Sequence, residues 1–166
     1  MPRSEVAVTS RSEGLSIPST AQLTRETSLG YQVNHLARLF ERALRMRTEP
    51  YGVVPGQFAQ LLALYEQEGL TQRELCERVQ IEQPTMAYTL QRMERDGLVH
   101  RVPDPRDKRQ AQVLLSDRAR ELQEPLIAAA HEVNDLATRG LDPQEVTALL
   151  SAITRVIENL ESTAPR

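Results

Sequence analysis

The run DPRDKRQ, residues 104–110, sets Arg106, Lys108 and Arg109 beside Asp104 and Asp107 around Pro105. Cations so dense on a proline-bent turn suit contact with a polyanion, lysine as a point charge and arginine as a planar fork. Asp107 precedes Arg109 by two residues, close enough to brace its guanidinium and lower the rotamer entropy that arginine loses on binding. Other chemistries find no residues to carry them. His35, His100 and His131 fall on three separate elements without ligand spacing, so no metal site is expected. No nucleophile and base pair and no phosphate-binding glycine loop is present, so neither an enzyme nor a cofactor is expected. Cys76 stands beside Leu75 and reads as a packing residue rather than a redox sensor.

The basic turn is out of keeping with the whole. The chain has 166 residues and a net charge of -3, yet Arg92 to Arg120 holds eight Arg/Lys against five Asp/Glu. Basic charge is therefore concentrated, which points to nucleic acid despite the acidic total. The length suits one ordinary domain with arms. A single cysteine fits a reducing compartment, and the start, MPRSEVAVTSRSEG, lacks the apolar core of a secretory signal. No apolar run approaches the roughly 20 residues needed to cross a bilayer, so a cytoplasmic protein without membrane partners is expected.

The elements that must position this turn follow from periodicity. Residues 1–27 are rich in Ser and Thr without a sustained period and read as a mobile arm with a short helical stretch over Thr20–Glu26. From Ser28 an apolar stripe of Val33, Leu36, Phe40 and Leu44 marks a first helix that Pro50 ends. Pro55 opens a second, with Phe58, Leu61, Leu62 and Tyr65 inward and Gly69 closing it. LTQRELCERV then carries a capping box, Thr71 with Glu74, and a staple pair, Leu70 with Leu75. In EQPTMAYTLQRMERDG, Glu82 is placed to cap a fourth helix whose core side is Met86, Leu90 and Met93, stopped at Gly97. The period then changes to two over 98–102 and 111–115, making the basic turn the tip of a hairpin. One long helix from Ser116 and Asp117 to about Arg139, kinked at Pro125, and a last helix from Asp142 and Pro143 complete the chain.

A short capped helix followed by a longer one and a basic hairpin spells a winged helix-turn-helix, mainly α with a small β-hairpin wing. With Met86, Leu90 and Met93 inward, the opposite face is Gln83, Pro84, Thr85, Ala87, Tyr88, Gln91 and Arg92, groups suited to base edges and phosphates in a major groove about 12 Å wide. Thr71 and Gln72, at a helix start, can present N–H groups to a phosphate. Arg106, Asp107, Lys108 and Arg109 form the tip, which would follow the backbone and direct an arginine, Arg109 by our reading, into the minor groove. Tyr88 also reads as a cover for a surface apolar patch. The first and last helices each carry more apolar surface than a winged helix can cover, including Leu29, Val33, Leu36, Phe40, Leu149, Ile153, Val156, Ile157 and Leu160. Burial in a homodimer accounts for them, and two-fold symmetry would then space the fourth helices roughly 34 Å apart. The expected organisation is arm 1–27, first dimerisation helix 28–50, winged helix-turn-helix 51–116 and C-terminal dimerisation helices 117–166.

In combination, T-x-x-E-L at 71–75, I-E-Q-P-T at 81–85, G-L-V-x-R at 97–101 and D-P-x-D-x-R at 104–109 resemble the MarR/SlyA family of bacterial transcriptional regulators. The resemblance covers about residues 29–160. It implies an obligate homodimer on a pseudo-palindromic double-stranded DNA operator, residues 83–92 in the major groove, and Arg109, supported by Asp107, on the minor groove or backbone. It further implies release by a small aromatic acid or phenolic compound bound between the dimer arms and the reading heads. Tyr88 stands where the family commonly has Arg, so the operator is not copied from a relative. The first long helix has no cysteine near its start, the position used by peroxide-sensing members.

The expected function is thus a dimeric, sequence-specific transcriptional regulator, in the repressor sense, modulated by a small ligand. The alternative is a winged-helix protein-interaction scaffold without DNA binding, which would tolerate loss of Arg106 and Arg109. A ligand pocket is expected between the first, second and fifth helices from His35, Arg38, Arg42, Tyr65 and His131; a second reading leaves Arg38 and Arg42 as solvated charges.

Overall fold

A computed structural model of the chain describes residues 23–105 and 107–163. Their order is α1 (Leu29–Thr48), a 3₁₀ turn (Glu49–Tyr51), α2 (Pro55–Glu66), β1 (Leu70–Thr71), α3 (Gln72–Val79), α4 (Gln83–Arg95), β2 (Val99–Pro103), β3 (Ala111–Leu115), α5 (Asp117–Glu121), α6 (Gln123–Ala137) and α7 (Pro143–Thr163). The chain divides into two compact units, one up to Leu36 and one from Ala37. In the first, the opening turns of α1 stack Tyr31 on His35 with ring centroids 6.4 Å apart, and Gln32 Nε2 donates to Arg25 O at 3.1 Å. Of the helical stretch expected over 20–26, residues to 22 lie outside the described ones; Arg25–Thr27 form a turn instead, with the Thr24 and Thr27 hydroxyls 3.1 Å apart.

In the second unit, Pro55 begins α2 and the capping box begins α3, where Glu74 N–H donates to Thr71 Oγ1 at 3.3 Å and Thr71 N–H to Glu74 Oε2 at 2.7 Å. Gln80 ends α3 in the left-handed region with φ 57°, its Nε2 donating to Glu77 O at 2.7 Å. That single left-handed residue makes the sharp turn into α4 without a glycine. Glu82 occupies the N-cap position of α4, but its side chain makes no cap hydrogen bond, so Pro84 and the extended N-cap backbone define the start. Met86, Leu90 and Met93 are fully buried in one cluster with Leu61 and Leu64 of α2, Leu75 of α3, Leu98, Val113 and Leu126. In α2, Leu64 turns inward and Leu62 outward, the reverse of the expected stripe at that turn.

The sheet has three antiparallel strands in the order β1, β3, β2, with Val99 opposite Leu115, Pro103 opposite Ala111, and Leu70 opposite Val113. β1 is an addition to the expected hairpin: Leu70 and Thr71, the staple and cap residues, also pair with the outer side of β3. Leu98 precedes β2, its N–H donating to Met93 O at 2.8 Å, so the strand starts one residue later than the pattern suggests. The long fifth helix is two. Pro125 has no N–H to offer Glu121 O, and the helix breaks at Leu122 rather than kinking. α7 has no buried residue, and α1 buries only Thr48. Among the described residues no helix is long and apolar enough to cross a membrane.

The strained turn generates a stability prediction. Gln80→Gly removes the steric cost of the left-handed region and should raise the urea midpoint, a gain of up to about 1 kcal/mol after the added backbone entropy. An unchanged or lower midpoint would show that the exposed Gln80 to Glu77 hydrogen bond outweighs that cost.

Candidate nucleic-acid interface

Because its apolar side is fully committed to the core, α4 presents a defined outer face. Gln83, Pro84, Thr85, Tyr88 and Gln91 are exposed and Ala87 and Arg92 half-buried. Tyr88 is 62% exposed and lies under the Arg92 guanidinium, 5.9 Å from ring centroid to Cζ. The i, i+4 spacing brings the two together, within range of a cation–π contact. Gln72 Nε2 donates to Gln83 Oε1 at 2.9 Å, joining the starts of α3 and α4. Thr71 is buried, and both its N–H and its hydroxyl engage Glu74, so it serves the cap while Gln72 faces outward.

At the wing, the turn from Asp104 to Gln110 closes on itself. Asp104 N–H donates to Gln110 O at 3.0 Å and Gln110 N–H to Asp107 O at 2.9 Å. The Asp107 carboxylate accepts from the Arg109 N–H at 3.0 Å and from Gln110 Nε2 at 3.2 Å. Asp107 therefore braces the backbone of Arg109 and not its guanidinium, as the two-residue spacing of an Asx turn favours. Arg106 lies outside the described residues. Lys108 and Arg109 are exposed, and among the described residues no carboxylate pairs with either side chain.

Several of the cations that made 92–120 basic are engaged within the fold. Arg95 pairs with Asp96 at 3.1 Å, Arg101 with Glu94 at 3.6 Å, and Arg120 with Glu68 at 2.6 Å and Asp117 at 3.1 Å. Glu68 also accepts from Leu115 N–H at 2.8 Å, so Arg120 secures the end of β3. Arg118 donates to two main-chain carbonyls, Asp96 O and Tyr51 O. Among the described residues of that stretch, the cations that pair with no carboxylate or main-chain carbonyl are Arg92 on α4 and Lys108 and Arg109 on the wing.

Known proteins of similar sequence are likewise named for a helix-turn-helix. The MarR family model matches residues 51–110. The HTH-type transcriptional regulator TtmR of Methylorubrum extorquens (strain PA1) is 30% identical over 139 residues, covering 84% of this chain and 70% of that protein. The chain belongs to the MarR family of transcriptional regulators. Proteins of this family are non-enzymatic and bind DNA. The PcaV transcriptional regulator from Streptomyces coelicolor, solved in complex with its natural ligand, is similar with a TM-score of 0.73 at 26% identity, over 83% of this chain and 97% of that one. A mutant MarR from E. coli complexed with operator DNA has a TM-score of 0.75 at 23% identity, over 82% and 99%, a likeness of fold.

The residues expected to line a ligand pocket in this MarR-family regulator are not gathered around the apolar cavity beside α2. That cavity, about 620 Å³, is lined by Phe40, Leu44, Phe58, Leu62 and Val133, with Glu41 and Asn134 as its polar side chains. Arg38, Arg42, Tyr65 and His131 do not line it. Tyr65 donates its hydroxyl to Ala119 O at 2.7 Å, and burial pushes that phenol up to about 12. His131 lines a separate groove with Arg120 and Ile127, and His35 stacks on Tyr31. The Cys76 thiol is pushed up by burial and then by Glu82 and Glu77, which keeps it protonated and unreactive.

At the C-terminal end of α4, Gln57 Nε2 donates to Asp96 Oδ2 at 2.7 Å. That hydrogen bond, against partial desolvation and with help from Arg95, holds the Asp96 carboxyl below its ordinary value. A carboxyl more acidic when folded stabilises the fold above its unfolded value, about 3.9, and the contribution is lost as pH falls through the folded value. Wild type should therefore exceed Asp96→Asn by about 1–2 kcal/mol in urea unfolding at pH 7, a gap that narrows below about pH 4. A gap independent of pH would assign the effect to packing.

Proposed function

We propose that the chain is a homodimeric repressor that reads a pseudo-palindromic operator through α4 and the wing and releases it on binding a small aromatic molecule. The observation that carries this reading is the polar outer face of α4, fixed by three fully buried side chains, beside a wing whose Lys108 and Arg109 have no carboxylate partner among the described residues. On this reading Gln83, Thr85, Tyr88 and Gln91 meet base edges, Gln72 and Arg92 meet phosphates, and Arg109 enters the minor groove from a turn that Asp107 keeps rigid. Dimerisation is supported by α7, which exposes Leu149, Ile153, Ile157 and Leu160, with Val156 half-buried. Leu29, Val33 and Leu36 on α1 are exposed as well, and Phe40 is half-buried. A second copy would bury such stripes at about 25 cal/mol per Å² of apolar area.

Effector binding is supported by the 620 Å³ cavity, where Phe40 and Phe58 offer ring contacts and Glu41 and Asn134 offer acceptors and an amide. Among the described residues no cation lines it, and Glu41 is itself paired with Arg45 at 2.7 Å. A neutral phenolic compound fits this lining better than an aromatic carboxylate, which would lie beside Glu41 without a counter-charge.

Titration of the protein onto duplexes from its own upstream region, at several salt concentrations, tests the DNA reading. Affinity should fall steeply with salt, and Arg109→Ala should cost about 1–3 kcal/mol, with the complex holding two chains by sedimentation. Salt-independent binding, or tolerance of Arg109→Ala, favours the scaffold reading. A thermal-shift series addresses the effector. Neutral phenols should raise Tm and weaken the DNA complex more than benzoates do, and the opposite order would refute the assignment of ligand class.

A further inference from the structure

The recognition helix is held at its C-terminal end by polar contacts that neither its core packing nor contact with DNA demands. Arg118, on α5, places one guanidinium between two helix ends. Its Nη1 donates to Asp96 O, at the C-cap of α4, and its Nη2 donates to Tyr51 O at 2.8 Å, at the end of the 3₁₀ turn that prolongs α1. Both carbonyls carry the partial negative charge of a helix C-terminus, and a cation between them satisfies both. No carboxylate pairs with Arg118 among the described residues, so its charge is directed at these two acceptors.

The surroundings are shaped to this contact. Gly52, next to Tyr51, has φ +69°, and a Cβ there would stand 3.0 Å from Arg118 Nη2. Gln57 of α2 holds the Asp96 carboxylate, which keeps the C-cap from turning away. The end of α1 is in turn fixed to α6, because Arg47 Nε meets Glu132 Oε2 at 3.0 Å. A continuous chain of named contacts thus runs from α6 through the end of α1 to the end of the reading helix. Lysine could not replace the bridge, since an ammonium on a flexible stem lacks the fixed fork that spans two acceptors.

We propose that Arg118 is a positioning residue that sets the angle at which α4 is presented, and through two-fold symmetry the separation of half-sites that the dimer accepts. This rests on the dimeric DNA reading above. Core side chains fix which face of α4 looks outward, but the helix can still pivot about that buried patch; the guanidinium arrests its far end against α1. In a dimer a pivot is applied twice, once in each copy, so it changes half-site separation while leaving the contacts within one half-site intact.

The test uses the full chain and the upstream duplex that it binds, together with duplexes carrying one base pair more or fewer between half-sites. Wild type should lose about tenfold in affinity on either change, the scale of one mismatched base pair. Arg118→Gln, which offers one amide group to two carbonyls, should reduce that selectivity to within about threefold, with the salt slope unchanged because Arg118 neutralises no phosphate. Full retention of spacing selectivity would overturn the proposal. So would a salt slope smaller by about two per dimer, which would place Arg118 on the DNA backbone. If Arg118→Gln yields no folded dimer, Arg118→Lys takes the same series, and wild-type selectivity in that variant overturns the proposal equally. Wild type that binds every spacing alike also overturns it, whereas wild type that prefers no duplex at all refutes the DNA reading rather than the role of Arg118.

Discussion

Met86, Leu90 and Met93 have no solvent exposure, and their burial against α2, α3 and α6 governs what α4 can present outside. Turning the helix by a third of a turn would bring those three into water at about 1.5–3 kcal/mol each and press polar groups such as Gln91 into an apolar core. The outer face is therefore fixed by the inner one. The same cluster includes Val113 and Leu115 of β3, so the wing is rooted in the core that orients the reading helix. α4 and the wing accordingly share one foundation.

Charge is divided between holding the fold and meeting a partner. Arg95, Arg101 and Arg120 pair with carboxylates inside the winged unit, and Arg118 with main-chain carbonyls. Exposed pairs of this kind contribute little stability singly, but they remove cations from the pool available to DNA. Lys108 and Arg109 stay outside such pairings among the described residues. Within the turn, Asp107 fixes the backbone and leaves the arginine fork open to a partner.

Features written in local pattern were legible in the sequence. The capping box of Thr71 and Glu74, the methionine and leucine side of α4, the helix start at Ser116 and Asp117 and the hairpin each depend on residues a few positions apart, and each is present. Features made by contacts across the chain were not. β1 is two residues long, too short for an alternating period, and exists only because β3 lies beside it. Arg118 looked like one more basic residue, since its partners Tyr51 and Asp96 lie 67 and 22 positions away. Pro125 marks a disruption in the sequence, but whether it kinks or breaks a helix depends on packing that local pattern does not carry. Charged and hydroxyl groups are a poor guide to the candidate cavity, because its lining is chiefly apolar and its helical faces meet only in three dimensions.

The sheet has one further consequence, for life at high concentration. β3 is covered on both sides, by β1 and β2, so one open edge is the two-residue β1 and the longer one is β2. An open edge of unpaired N–H and C=O groups is a template for strand exchange between molecules. Here the longer edge bears His100 and Arg101 and finishes at Pro103, which has no N–H to donate. Charge and a terminal proline thus blunt the longer edge of the wing against strand exchange.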